Sequence, residues 1–396
     1  MVIVNKLKEL TGGGILIIHD SGVGDFINMT PLIREIRRTY PTKHITLIIY
    51  PRALNLAEVC PYVDEVLPNL RPYNWNNFFE DYVWNVGFAK NLLIRKFDVA
   101  YIVPAYSSAL FLAYMSGAKE RISFKVETGL NLIGAFPMNL LTPLLTFQVP
   151  KQLYGIHSAD NALGLLDYSL HAPIVKRDLE LWYTPFDYTI ARQFIQENIN
   201  SDENFYTIVM GGENDAKKWN PENYAELIKM ILHSETNSKF VILGGEKDIE
   251  AATRLKNNLN EKILEKNIFD LTNKITFRQS LALMSFCNAY IGNDTGTMHA
   301  AAAVKTPVLT PNCFATDLNM TNVSAPKTCC PNGVPSVIVS PKHALPECKQ
   351  SHDPYFGCRV GKPHCINQIK PRTMFEGFKI LKKKINKGDT DPFYFD

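Results

Sequence analysis

Short, almost wholly apolar runs that stop at glycine or a small polar residue recur along this chain, and they constrain its fold more than any other feature. Ile15-Leu16-Ile17-Ile18 leads into Asp20-Ser21-Gly22-Val23-Gly24-Asp25, Tyr206-Thr207-Ile208-Val209-Met210 into Gly211-Gly212, and Lys239-Phe240-Val241-Ile242-Leu243 into Gly244-Gly245. Runs of this length without polar alternation are buried on both faces, as parallel strands covered by helices are. Helical stripes follow. Met29, Leu32, Ile33 and Ile36 share one face of a segment from about Phe26 to Thr39, and Pro221 opens another that reaches Leu232. The same reading predicts strands at 45–49, 63–67, 99–103, 289–291 and 308–310, and helices at 88–95, 248–258 and 277–286. Strand and helix alternate in both halves. The expected fold class is therefore α/β, two doubly wound domains facing a cleft, with ligands at the carboxyl ends of the strands.

A length of 396 residues suits two such domains. They are expected at residues 1–187 and 204–370, joined by a linker at 188–203 that is helical and ends in polar residues. Residues 312–366 read as a cysteine-rich insertion in the second domain, and 371–396 as a last helix and tail. A net charge of +3 gives no basis for nucleic-acid binding. Lys379, Lys382, Lys383, Lys384 and Lys387 read as a solvated helix face. The opening residues lack the apolar core and cleavage site of a signal peptide, so an intracellular location is expected. The longest uncharged run, Thr128 to Val149, is interrupted by glycine, proline and asparagine. It reads as a loop and helix, either buried or touching a membrane, rather than a spanning segment.

The chemistry is concentrated in four loops after strands. Gly292-Asn293-Asp294-Thr295-Gly296-Thr297-Met298-His299 joins a strand pattern to an alanine-rich helix. Unpaired N–H groups and the helix dipole attract an anion at such a junction, and Thr295, Gly296 and Thr297 let a phosphate approach. Asp294 and His299 flank it. Lys217, in the loop after Gly211-Gly212, either neutralises a phosphate or is solvated beside a core Trp219. Asp248 either holds ribose hydroxyls or caps its own helix. Asp25 is either a helix cap or a carboxylate facing the cleft as a general base. The first loop lacks the Gly-x-Gly-x-x-Gly spacing of a dinucleotide site.

In this order the loops resemble glycosyltransferase family 9, the ADP-heptose:lipopolysaccharide heptosyltransferases, over roughly residues 14 to 380. The similarity is carried by Ile15 to Pro31, with its Gly24-Asp25 and Thr30-Pro31. It continues through Pro61-Tyr62-Val63-Asp64-Glu65-Val66, Lys217-Lys218-Trp219 with Tyr224-Ala225-Glu226-Leu227, and most specifically Gly292 to Ala302. The resemblance implies a GT-B fold of two Rossmann-like domains, with the helix of 371–396 returning to the first domain, and an inverting, metal-independent transfer of heptose or a related sugar. Its donor would be a nucleotide diphosphate, ADP-heptose in the family. Its acceptor would be lipopolysaccharide core or another lipid-linked envelope glycan, on the cytoplasmic face of the inner membrane. Position by position it implies Asp25 as the base and Lys217 as a catalytic diphosphate contact. Gly24, Gly212, Asp248, Asp294, Thr295, Gly296, Thr297 and His299 become donor-binding. Arg52, Arg71, Tyr73, Trp75, Lys119 and Arg121 are candidates to face an anionic glycolipid.

Five of the eight cysteines (Cys329, Cys330, Cys348, Cys358, Cys365) fall in one late segment, a clustering that suggests metal or reduced thiols rather than disulfides in an intracellular protein. The family often carries a four-cysteine signature there. Cys348, Cys358 and Cys365 retain it, Ser351 stands at the second position, and Cys330 or Cys329 could supply a fourth thiolate to a structural zinc or iron. No cofactor is required for the transfer itself. Two other readings stand beside it: a nucleotide-sugar epimerase of the same architecture, and a non-catalytic assembly protein that holds metal.

Overall fold

The computed structural model describes residues 13–69, 87–103, 107–125, 142–150, 156–170, 173–318, 325–353, 357–358 and 360–396. The chain divides into two compact units, Met1–Gln152 with Ser158–Arg177, and Leu153–His157 with Asp178–Asp396.

The first unit is built on β1 (Gly14–His19), β2 (Ile45–Ile49), β3 (Glu65–Pro68), β4 (Phe97–Ile102), β5 (Glu120–Phe124) and β6 (Phe147–Val149). All pair in parallel, in the order β3-β2-β1-β4-β5-β6. β1, β2 and β4 are buried along their whole length, as continuous apolar runs require. The chain builds outward from β1 to β3, then returns to β4, so the strand order reverses between β1 and β4. The helices include α1 (Val23–Thr39), α2 (Ser107–Met115) and α3 (Ser158–Leu170), with α1 against α3. α1 starts three residues before the expected Phe26. Its N-cap is Gly22, so Asp25 lies in the first turn and is not the cap.

The second unit holds β7 (Asn204–Val209), β8 (Ser238–Leu243), β9 (Ile268–Asp270), β10 (Ala289–Gly292), β11 (Val308–Pro311) and β12 (Ser336–Val339). A small antiparallel pair follows, β13 (His352–Asp353) and β14 (Gly357–Cys358), and then β15 (Pro392–Phe395). The main sheet is parallel, in the order β15-β12-β11-β10-β7-β8-β9. Its order reverses between β7 and β10. Around it lie α4 (Pro185–Asn198), α5 (Pro221–Ser234), α6 (Ile249–Asn257), α7 (Phe277–Met284), α8 (Gly296–Ala303) and α9 (Pro371–Lys387). Tyr206, Trp219, Tyr224, Phe240 and Phe378 are the large side chains of its core.

Three expectations change. Residues 188–198 are not a linker: α4 begins at Pro185 behind a Thr184–Asp187 capping box and packs on α7 inside the second unit. Residues 371–396, expected to return to the first domain, are also built into the second unit. α9 buries Met374, Phe378 and Leu381 against β11, β12 and α5, and the supposed tail is the edge strand β15. The lysine face of α9 is partly tied down, since Lys382 reaches Glu235 at 3.1 Å and Lys384 is buried. Most of 128–149 lies outside the described residues, with a helical turn at Thr142–Leu144 and β6 at its end. No described helix is long and apolar enough to cross a membrane.

Candidate active site

In each unit the loops singled out in the sequence leave the carboxyl ends of strands beside the point where the order reverses. Adjacent connections diverge there and open a crevice.

In the second unit β10 ends at Gly292, where a Cβ would stand 2.5 Å from Val209 O and 2.7 Å from the Tyr290 hydroxyl. Only glycine lets the strand end lie this close to β7. Asn293, fully buried, then ties the loops together. Its Oδ1 accepts the Trp219 amide at 3.1 Å and the Tyr224 hydroxyl at 2.7 Å, and its Nδ2 donates to Met210 O. Trp219 is itself pinned by donating Nε1–H to Ile369 O at 2.9 Å and by edge-on packing against Tyr224. This framework presents Lys217 and Asp294 to each other. Lys217 Nζ lies 3.0 Å from Asp294 Oδ2, and Asn312 Nδ2 donates to the same oxygen at 2.8 Å. Burial disfavours the Lys217 charge, but the Asp294 carboxylate, with Cys313 and Cys329 nearby, outweighs it, so its pKa is raised and it stays an ammonium.

α8 starts directly after Asp294. Its N-cap, Thr295, is extended and makes no side-chain cap, and the first intrahelical bond runs from Met298 N to Thr295 O at 3.0 Å. The amides of Gly296 and Thr297 therefore remain for an anion. Gly212 faces this turn, since a Cβ there would be 2.8 Å from the Thr295 methyl. His299 is buried one turn along α8. Asp248 packs where Cβ atoms of Gly211 and Gly244 would be, 2.7 Å away, and its Oδ2 accepts the Gly245 amide at 2.9 Å. It caps its own turn and stands at the mouth of the same crevice. Lys217, Gly212, Asp294, Thr295, Gly296 and Thr297 thus converge, with Asp248 one strand away.

Gly24 and Asp25 belong to the first unit. Asp25 is exposed and accepts the Ser21 hydroxyl. Behind it, His19 is buried, with Nδ1 2.8 Å from Val103 O; burial lowers its pKa and the Asp25 charge opposes that shift. Asp20 is buried too, its pKa raised by burial against the opposing effect of Ser108 and Asn69. Of the residues proposed for the glycolipid, Arg71, Tyr73 and Trp75 lie outside the described residues. Arg52 sits over the Tyr50 ring, Lys119 pairs with buried Asp98 at 2.8 Å, and Arg121 donates to Ala118 O at 2.6 Å.

The late cysteines do not assemble as expected. Cys348, His364 and Cys365 bring one ligand atom each within 4.8 Å of one another, and both cysteines are buried. Leu345 N donates to Cys365 Sγ at 3.4 Å. Cys330 is not part of this group; its thiol lies near Lys327 O and Tyr394. His364, which directly precedes Cys365, stands in this group where a further thiolate was expected. The Cys358 side chain lies outside the described residues.

Sequence reasoning missed Asn312, Asp20 and His19. Asn312 had one available signal, a polar amide directly after a predicted strand end.

Two Rossmann-like units, the second with an uncapped helix start and a lysine at its switch point, have the architecture of the GT-B class. The sequence pattern of glycosyltransferase family 9 (heptosyltransferase) matches residues 86–311, more than half of the chain, and the chain belongs to that family. It is 24% identical over 298 residues to lipopolysaccharide heptosyltransferase 2 of Escherichia coli, covering 74% of this chain and 81% of that one. The solved ADP-heptose lipopolysaccharide heptosyltransferase II of E. coli shares its fold, with a TM-score of 0.68 at 20% identity, covering 94% and 99% of the two chains. A family 9 glycosyltransferase of Veillonella parvula gives a TM-score of 0.74 at 18% identity, covering 95% and 99%. The epimerase and the non-catalytic reading are not favoured by these relatives.

Proposed function

We propose that the protein transfers heptose from ADP-heptose to the core of lipopolysaccharide or a related envelope glycan, with inversion. The supporting observation is the Lys217–Asp294–Asn312 network beside the uncapped start of α8. In this reading Gly296, Thr297 and Lys217 hold the diphosphate, Asp294 takes hydroxyls of the sugar, Asp248 those of the ribose, and His299 supports the loop. The departing diphosphate gains negative charge as the glycosidic bond breaks, so the lysine and the amides stabilise the transition state more than the ground state. Asp25 is the base that removes the proton of the acceptor hydroxyl, worth about 10²–10⁴-fold. For the transfer Asp25 has to be within hydrogen-bond reach of the acceptor hydroxyl while the donor is held. Gly24 gives the backbone room beside it. The acceptor being lipid-linked, the site of action is the cytoplasmic face of the inner membrane, through a peripheral contact.

The test is incubation with ADP-heptose and heptose-deficient lipopolysaccharide core, with the product read by mass spectrometry and its anomeric configuration by NMR. One added heptose of inverted configuration is expected. ADP binding without transfer from ADP-heptose would overturn the donor, and a retained configuration would overturn the role of Asp25.

A second site accompanies the first. Two buried thiols and an imidazole with ligand atoms within 4.8 Å suit a tetrahedral zinc or iron. Cys348, His364 and Cys365 would hold it, with Cys358 the nearest candidate in sequence for the fourth position. Stoichiometric metal in purified protein, lost with a lower melting temperature in Cys348→Ser and Cys365→Ser, is expected. Metal-free protein of unchanged stability would remove the site.

A further inference from the structure

Asn312 has no role in the sequence reading, yet it fixes the orientation of Asp294. It follows β11 and is buried, 3% exposed. Its Oδ1 accepts the backbone N–H of Phe314 at 2.7 Å, which sets the amide so that Nδ2 faces Asp294 Oδ2 at 2.8 Å. Lys217 donates to that same oxygen at 3.0 Å. Among the described residues Asp294 Oδ1 makes no hydrogen bond, although the residue is only 4% exposed. A carboxylate with two donors on one oxygen and none on the other is held at a chosen angle. The remaining oxygen can only accept, so it suits a hydroxyl and repels a phosphate.

We infer that Asn312 is a positioning residue of the transfer: it turns Asp294 so that Oδ1 meets hydroxyl groups of the donor sugar while Lys217 stays beside the diphosphate. This rests on the donor reading above. The charged and titratable groups around it are Lys217 after β7, Tyr290 on β10, Cys313 after β11, and Cys329 at the end of the short helix Pro326–Cys329.

The isosteric change Asn312→Asp separates positioning from mere filling. At high pH it sets two carboxylates within hydrogen-bond reach, and they repel. At low pH its protonated oxygen donates to Asp294 Oδ2 as the amide does. The full chain is assayed for transfer from ADP-heptose across pH, with ADP affinity by calorimetry. Asn312→Ala should lose about 10²-fold in kcat at every pH while ADP affinity moves by no more than about threefold. Asn312→Asp should be equally slow near pH 8 and recover roughly tenfold relative to Asn312→Ala near pH 6. Retained turnover in Asn312→Ala, the absence of acid rescue, or ADP affinity falling in step with turnover would each overturn the inference. A wild-type protein that transfers nothing from ADP-heptose would instead defeat the donor reading, and this inference with it.

Discussion

Two acidic residues five positions apart in the first unit have opposite surroundings, and their substitutions should separate accordingly. Asp25 is exposed, so Asp25→Asn should leave stability within about 0.5 kcal/mol of wild type, as surface changes usually do. Its transfer rate should fall by about 10²-fold or more, since in the proposed mechanism no base then takes the acceptor proton. Turnover above a tenth of wild type would reassign the base. Asp20 is buried, and among the described residues its Oδ1 has no hydrogen-bond partner. Its folded pKa is raised by burial, whereas the unfolded carboxyl titrates near about 3.9. The sign follows: stability is greatest while the group is protonated, and is lost as pH rises from the unfolded value through the folded one. Asp20→Asn should therefore stabilise by about 1 kcal/mol at neutral pH, with the difference closing toward about pH 4. Melting curves across that range decide it; a destabilised variant at pH 7 would mean that the charge is engaged. Asp25 could be singled out from the sequence because a carboxylate after a Gly-x-Gly turn suits a base. Asp20 could not, because its burial depends on Asn69 and Ser108, which are remote in sequence and meet it only through the β3, β1 and β4 order.

At the scale of elements, the site is a set of strand ends, so the tightest strand end should govern it. Gly292 has no space for a methyl group, with backbone Val209 O at 2.5 Å and the buried Tyr290 hydroxyl at 2.7 Å. Gly292→Ala should push β10 from β7, costing about 1–3 kcal/mol, and displace Asn293 and Asp294 with it. ADP affinity and melting temperature should fall together, by contrast with Asn312→Ala, where transfer falls and ADP affinity holds within about threefold. Normal ADP affinity in Gly292→Ala would show that the loop is held from α8 instead. The central strands were legible because burial on both faces removes polar alternation, as in Ile15–Ile18 and Tyr206–Val209. β5, with Glu120 and Arg121 in a strand, and β15, half-exposed at the sheet edge, carry no such run. The helical pattern of α9 was read correctly, but its destination was not. A stripe of Met374, Phe378 and Leu381 says that a face is buried without saying against which sheet.

For the whole molecule, the loops of the proposed donor site leave β7, β8 and β10, and Asn312 leaves β11, so the framework that orients them lies within one compact unit. Asn293 is satisfied by Trp219, Tyr224 and Met210, and Trp219 by Ile369, all of the same unit. α9 and β15 complete the sheet from the chain end, which is why a fragment must retain residues 371–396 although they read as a crossing helix and a tail. A fragment of residues 178–396 lacks Leu153–His157 of the same unit, including the hydrogen bond from His157 to Cys330 O at 2.9 Å, one such bond being worth about 1 kcal/mol. That is small against a core including Tyr206, Trp219, Phe240 and Phe378. The fragment should fold and bind ADP within about tenfold of the full chain, a difference of about 1.4 kcal/mol. It should transfer no sugar, because Asp25 is absent from it. Calorimetry with ADP, beside circular dichroism to establish folding, checks this. A folded fragment without affinity for ADP would place part of the nucleotide site on residues 1–177 and would remove the division of labour on which the proposed mechanism depends.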